Sequence, residues 1–374
     1  MKIVIDARMY GLENAGIGRY ILNLIANLEK IDIENEYYIL LRKKYFLDLN
    51  FKNPHFHKID ADIQHYSLKE QICLPFILYK IKPDFVHFPH FNLPIFWFGK
   101  YVVTIHDLIK HNFKGISSTT RQPWLYWFKF FIYRIIVFGV IKRSQKIITP
   151  SFYWQKEIVT QFKLLNSKVE VTYEGVDQKW TDLKFSFNDF QQTLDKYKIK
   201  KPFILYVGNL YPHKNVERLI ESIKINQINL VIVCARNVFW QRLNKIVKEK
   251  GVVEFVNFTG FVTDEELFQL YHESICLAFP SLMEGFGLPG LEAMMAGTPV
   301  LASNSSCLPE IYGQAALYFN PYNTRELADK LNLIKNDIKL RERLIILGKR
   351  QLKHYNWEKM ARETLTVYNQ VNSL

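Results

Sequence analysis

The stretch Phe279–Pro299, FPSLMEGFGLPGLEAMMAGTP, restricts the fold more than any other part of the chain. Just before it, Ile275 to Phe279 is a short apolar run of the kind that forms a buried parallel strand. A loop with Glu284, Gly285, Phe286 and Gly287 follows. A helical pattern begins at about Leu288, with Pro289 in the first turn, where a missing N–H costs nothing. Gly297 and Pro299 stop the helix, and Val300 to Ala302 resume a strand. Strand, glycine loop, helix and strand make one βαβ unit. Ligands of such sheets lie at the carboxyl ends of strands, against helix N-termini whose free N–H groups and dipole suit phosphate. The spacing puts Glu284 in that loop and Glu292 about one turn into the helix, at the same mouth. Carboxylates beside an anion site suit a ligand that carries hydroxyls as well as phosphate, as a nucleotide-sugar does.

The rest of the chain predicts two such sheets, and 374 residues suit two domains with ample cores. Lys2 to Asp6 reads as the first strand. Ile17, Tyr20, Ile21, Leu24, Ile25 and Leu28 then recur at helical spacing. Gly16 and Gly18 fall in the turn between; a G-x-G without a third glycine describes a tight turn as readily as a phosphate loop. Tyr37 to Leu41, Phe85 to Phe88, Tyr101 to Ile105 and Lys146 to Thr149 read as further strands. Residues 178–200 are polar and linker-like, and Phe203 to Val207 begins a second strand-first domain. Its later strands lie near Leu230 to Cys234 and Glu254 to Phe258. Asn356 is placed to cap a last helix with Trp357, Met360, Ala361, Leu365 and Tyr368 on its apolar face. The expected divisions are 1–180, 181–355 and the helix 356–374.

A net charge of +13 calls for an acidic partner. Nucleic acid is not indicated, because there is no zinc pattern, no aromatic-basic RNA signature and no long basic arm. Much of the excess is lysine spread along a solvated surface; with 15% aromatic residues, an anionic membrane surface is the better functional reading. The opening MKIVIDARMYG reads as a strand rather than a secretory signal. Cys73, Cys234, Cys276 and Cys307 are scattered, as suits reduced thiols in a cytoplasm. Trp124 to Ile141 is the most hydrophobic segment. Its charges, at 121, 129, 134 and 142, scatter around the helical wheel. The segment therefore reads as a largely buried helix with some exposed aromatics, rather than a spanning or cleanly interfacial one. Asp60-Ala61-Asp62 imitates a D-x-D metal motif, but no apolar strand leads into it, and it reads as surface charge. His87 and His90 form H-x-x-H on extended chain, which places them on opposite faces, and His106-Asp107 ends another strand. Neither a bound metal nor a cofactor is expected.

The string E-G-F-G-L-P-x-L-E-A-M-x-x-G-x-P-V resembles the donor-site signature of retaining glycosyltransferases of family 4, also called group 1. The GIGRY, YSLKEQ, HFPHF and PHKN strings resemble its mannosyltransferase-like branch. The resemblance implies the α/β GT-B architecture: two Rossmann-like domains facing across a cleft, the first for acceptor and the second for nucleotide-sugar, with a C-terminal helix crossing back. It implies that Glu284 holds sugar hydroxyls, Glu292 the ribose, and His106 the sugar. Lys214 and the N–H groups near Gly287 and Leu288, in the loop of Gly285 and Phe286, would meet the donor phosphates, and the Gly16–Gly18 turn would lie against diphosphate and acceptor. Many members carry an arginine where this chain has Asn209, and His213 is the candidate to replace part of that charge. The expected reaction moves a hexose, best GDP-mannose, to a glycan or lipid-diphosphate-linked acceptor at the inner membrane face, with retention and without a metal. UDP- and dTDP-sugar users share much of the pattern. A hydrolase pair of glutamates has no use for Lys214 or a phosphate-ready helix start. A non-catalytic membrane-surface protein finds support only in Asn209.

Overall fold

The computed structural model of the protein describes residues 1–47, 49–113, 123–176 and 186–373. The chain divides into two compact units, one of Met1–His111, Gln122–Gly175 and Asn356–Leu374, the other of Asn112–Arg121 and Val176–Tyr355. The expected boundary at 180–181, Arg121 and the first part of the expected linker lie outside the described residues.

The first unit is built on seven strands: β1 (Lys2–Asp6), β2 (Glu36–Leu41), β3 (Phe56–Asp60), β4 (Phe85–Phe88), β5 (Tyr101–Thr104), β6 (Lys146–Thr149) and β7 (Val169–Val171). They pair in the order β3-β2-β1-β4-β5-β6-β7, every pair parallel. Every residue of β4 and β5 is buried, which is why both read as mainly apolar runs: helices cover both faces of such a sheet. The chain winds outward from β1 through β2 to β3, then returns to place β4 on the other side of β1. The loops after β1 and β4 therefore part in opposite directions and leave a crevice at their carboxyl ends.

The helix Trp357–Asn372 belongs to this unit. The Asn356 side chain accepts from the N–H groups of Glu358 and Lys359, closing the first turn. Met360, Ala361, Val367, Tyr368 and Val371 pack into one core with Leu24, Leu28 and Phe85. The Tyr368 hydroxyl meets His87 Nδ1 at 2.6 Å, and His87 Nε2 meets the Thr104 hydroxyl at 2.8 Å. Tyr20 shares a 3.1 Å hydrogen bond with the same Thr104 hydroxyl. Gly175, where the chain leaves the unit, lies against its point of return: a Cβ there would stand 2.4 Å from the Trp357 nitrogen.

The second unit repeats the plan with β8 (Phe203–Val207), β9 (Asn229–Val233), β10 (Val256–Phe258), β11 (Leu277–Phe279), β12 (Val300–Ser303) and β13 (Ala316–Phe319). The order is β10-β9-β8-β11-β12-β13, again all parallel, and its crevice opens between β8 and β11.

The strand that leads into Asp60, β3, is mixed in polarity and lies at a sheet edge, and the exposed Asp62 pairs with Arg42 at 3.2 Å, as surface charge does. Three local expectations are corrected. Part of the supposed linker is the helix Phe187–Lys196, closed by a capping box of Ser186 and Asp189. Gly16 and Gly18 lie in the first turn of the helix Ala15–Ile31, not in the turn before it, where Gly11 takes the positive φ of +108°. A Cβ on Gly18 would stand 1.9 Å from the Gly11 carbonyl oxygen, so the glycine admits the loop rather than bending it. The helix Pro123–Arg143 is not largely buried: only Val137, Val140 and Ile141 of its described side chains are.

Burial, and then the charge of His106, pull His87 down from 6.5 to about 3. Above pH 6.5 the folded and unfolded rings are both neutral. Below it the unfolded ring takes a proton that the buried ring refuses, so stability falls by about 1.4 kcal/mol per pH unit. Urea denaturation at pH 7 and pH 5 should show His87→Gln losing about 2 kcal/mol less than wild type over that interval. Equal losses would remove His87 from the account.

Candidate active site

In the second unit the site is built from the two loops that follow β8 and β11. After β8 the chain turns at Gly208, with φ of +145°. The Asn209 carbonyl accepts from the Tyr206 hydroxyl at 2.6 Å, so Asn209 is anchored to the strand as part of the turn. A single 3-10 turn, Pro212–Lys214, leads into the helix Val216–Asn226. The Asn215 amide secures this junction by donating to the carbonyls of Pro280 and Pro321, at 3.0 and 2.8 Å.

Lys214 thereby reaches Glu284 in the loop after β11. Its ammonium donates to both carboxylate oxygens, at 2.7 and 2.8 Å, and only 13% and 7% of the two side chains are exposed. The Glu284 N–H donates to the Ser306 hydroxyl at 3.1 Å, and the Cys307 thiol donates to the Glu284 and Phe286 carbonyls. Gly285 is half-buried in this loop, and Phe286 is buried edge-on to Tyr355. Gly287 has φ of +106°, and a Cβ there would lie 2.6 Å from the Tyr312 hydroxyl, which donates to the Gly287 carbonyl. No other residue type meets both demands.

The helix Leu288–Met295 starts at Gly287 with Pro289 in its first turn, and among the described residues no side chain caps it. Its first N–H groups and positive dipole end are available to an anion. Glu292 is buried one turn in and accepts from the Tyr271 hydroxyl at 3.1 Å. Lys214, Glu284, Gly287 and Leu288 thus come from the two loops that border one crevice. His213 does not supply the charge expected of it: burial, and then the neighbouring Lys214, pull it down to about 4. Near pH 7 it is a neutral ring stacked on Tyr211.

In the first unit His106 follows β5. Its Nε2–H donates to the Pro89 carbonyl at 3.0 Å, and Nδ1 stands 3.0 Å from Glu174 Oε1. Two acceptors on one ring require a proton on each nitrogen, or a proton on the carboxyl. Glu174, 68 residues away, was not selected as a site residue from sequence; a glutamate three residues beyond a short strand carries no signal of its partner. Arg8, Asp6 and Glu70 were missed as well. The buried guanidinium of Arg8 binds both carboxylates at 2.7 Å. Burial would raise the Asp6 carboxyl, but Arg8 outweighs it and holds the group below its ordinary value. A small cavity beside them is lined by Asp6, His65, Phe88, His90 and Asn92, at the crevice between β1 and β4. Among the described residues no three His, Cys, Asp or Glu side chains gather as metal ligands would.

Removing one member of a buried ion pair strands the other charge. Lys214→Met should therefore cost about 3 kcal/mol or more in urea denaturation, and the double variant Lys214→Met/Glu284→Gln should recover part of it. Additive losses would mean that the two groups do not depend on each other.

Residues 15–180 match the family described as Glycosyltransferase Family 4, and residues 189–351 the family described as Glycosyl transferases group 1. The O-antigen chain mannosyltransferase B of Escherichia coli is 25% identical over 394 aligned positions, which cover 98% of this chain and 99% of that protein. The O-antigen chain mannosyltransferase RfbU of Salmonella typhimurium is 29% identical over 250 positions, 61% of this chain and 67% of that one. Anabaena HepE in complex with UDP-glucose superposes with a TM-score of 0.74 at 15% identity, covering 100% of this chain and 99% of that one. WaaG, a glycosyltransferase involved in lipopolysaccharide biosynthesis, superposes with a TM-score of 0.68 at 14% identity, covering 98% and 99%. At such identities these structures speak for the fold, two parallel-sheet Rossmann-like domains of the GT-B type. With both domains matched, the chain belongs to the group 1 glycosyltransferases of family 4.

Proposed function

We propose that this glycosyltransferase moves mannose from GDP-mannose to a growing glycan carried on a lipid diphosphate, with retention and without a metal. The work would be done in the cytoplasm, at the inner face of the membrane, during surface polysaccharide synthesis. The observation that carries the reading is the meeting of Lys214 and Glu284 beside the start of the helix Leu288–Met295. A diphosphate and a sugar need partners of opposite kinds, and this crevice holds both. Two relatives named as O-antigen chain mannosyltransferases, one aligned over nearly its whole length, favour mannose and a lipopolysaccharide-type acceptor.

The bond from the anomeric carbon to the donor phosphate oxygen breaks, and negative charge grows on the departing diphosphate. Fixed positive charge and N–H donors aimed at that oxygen lower the barrier. Lys214 and the helix start near Gly287 and Leu288 supply them, with Asn209 and His213 as neutral neighbours. Glu284 accepts from sugar hydroxyls and Glu292 from the ribose, while His106, on the family pattern, meets the sugar. In front-face substitution the acceptor oxygen bonds the anomeric carbon on the side the diphosphate leaves, and the leaving phosphate oxygen takes the acceptor proton. The anomeric configuration is thus kept. The first unit, with its crevice at Asp6 and His90, is assigned to the acceptor.

With EDTA present, GDP-mannose at about a hundred times its dissociation constant should stabilise the protein by about 2.7 kcal/mol, visible as a raised melting temperature. The shift should vanish in Glu292→Ala. A shift with UDP-glucose or dTDP-rhamnose instead would reassign the donor, and a shift only on adding a divalent ion would end the metal-free reading. Anomeric carbon–proton coupling in the product should report the α configuration of the donor; a β product would sink retention.

A further inference from the structure

We propose that the helix Pro123–Arg143, the loop 91–99 and the outer face of the helix Leu68–Ile81 form one apolar, cationic surface that docks on an anionic phospholipid bilayer. The exposed residues on the long helix include Phe128, Phe131, Ile135 and Phe138, and 63% of Phe131 is in solvent. On Leu68–Ile81, Ile72, Phe76 and Tyr79 recur at helical spacing and are exposed, Phe76 by 74%. The loop adds Ile95, Phe96 and Phe98, the last 71% exposed. Isolated surface hydrophobics need no explanation, but a contiguous field of this size does.

Hydrogen bonds tie the three elements together. The Phe98 N–H donates to the Tyr79 hydroxyl at 3.2 Å, and the Ile95 N–H donates to Gln71 Oε1 at 2.7 Å. Arg143, at the end of the long helix, donates to the Trp97 carbonyl at 2.7 Å, and its guanidinium lies 5.1 Å from the Phe98 ring centre. Phe91 packs edge-on against Tyr133, 5.4 Å away, in the middle of that helix. All of these residues belong to the first unit, so the surface is complete within one compact body.

Charge identifies the occupant. Residues 68–81, 89–100 and 123–143 carry two, one and four Lys or Arg, and their one acid, Glu70, is buried against Arg8, in a chain whose overall ratio is 49 to 36. Pairing this face with a second copy would bring like charges together. An anionic bilayer answers both properties: aromatic rings enter the headgroup region while lysine and arginine reach outward along their stems to lipid phosphates. The long helix lies on the membrane rather than crossing it. A length of 21 residues is enough to span, but Val137, Val140 and Ile141 are buried, and the Tyr101 hydroxyl of β5 donates to the Val140 carbonyl at 2.8 Å. Its last turns are thus part of the protein core, and Lys129 and Arg134 sit mid-helix, where a bilayer interior disfavours charge.

The inference rests on the lipid-linked acceptor proposed above for its purpose, and on this surface alone for its existence. The test is sedimentation of the full-length protein with vesicles of phosphatidylcholine alone or mixed with phosphatidylglycerol. The mixed vesicles should capture the protein, less so as salt is raised. F128S/F131S/I135S and, separately, I72S/F76S/F98S should weaken capture by about tenfold or more. K129E/R134E should abolish the preference for phosphatidylglycerol, whereas I338S/I346S, which changes exposed isoleucines of the second unit, should bind as wild type. Circular dichroism and the donor thermal shift report that each variant is folded. No capture by mixed vesicles, or capture indifferent to the first two variants, overturns the proposal. So does sedimentation equilibrium showing a wild-type dimer that these variants dissociate, or membrane-bound protein that resists alkaline carbonate, as a spanning helix would. Donor binding without vesicle capture defeats this inference alone, and capture without any donor shift defeats the proposed function alone.

Discussion

The site depends on one buried ion pair. Lys214 and Glu284 are almost wholly out of water, and each alone would be costly in that position. Held together by two short hydrogen bonds they are tolerable, and that tolerance is what lets two opposite charges wait in one crevice. In the proposed reaction a diphosphate entering there would compete with Glu284 for the ammonium and free carboxylate oxygens for hydroxyl donors, so that recognition of phosphate and of sugar would be parts of one exchange.

That pair exists because of sheet topology. The two residues are 70 positions apart and meet only because β8 and β11 are neighbours whose following loops border the same crevice. The first unit uses the same order of strands, and its crevice gathers Asp6 from the end of β1 and His90 from the loop after β4. One physical rule, that loops parting from adjacent parallel strands leave room at the carboxyl ends, places both sets of residues.

What could be read in advance follows the same physics. Central strands such as β4, β5 and β8 are covered on both sides and announce themselves as apolar runs. The strands that escaped notice, β3, β7 and β13, lie at sheet edges, where half-covered chain such as FHKID needs no such run. The loop before Leu288 was legible because Gly287 answers a backbone demand that leaves a glycine in the sequence. The partners of its functional groups were not: nothing near Glu292 names Tyr271, and nothing near His106 names Glu174. The helix Pro123–Arg143 misled for a related reason. A helix with apolar residues on every face ordinarily signals burial, yet only its last turns found a core to enter.

The contact between Gly175 and Trp357 has a bearing on descent. For residues 176–355 the chain leaves the first unit and rejoins it at one spot, closed so tightly that a methyl group would not fit. The intervening residues are, topologically, an insert with neighbouring ends. Material inserted in this way can be exchanged between related genes through one pair of adjacent junctions, leaving the seven-stranded sheet and its closing helix undisturbed. With donor and acceptor assigned to the two units as proposed, lineages built on this plan can thus change the sugar they spend while keeping the surface that receives it.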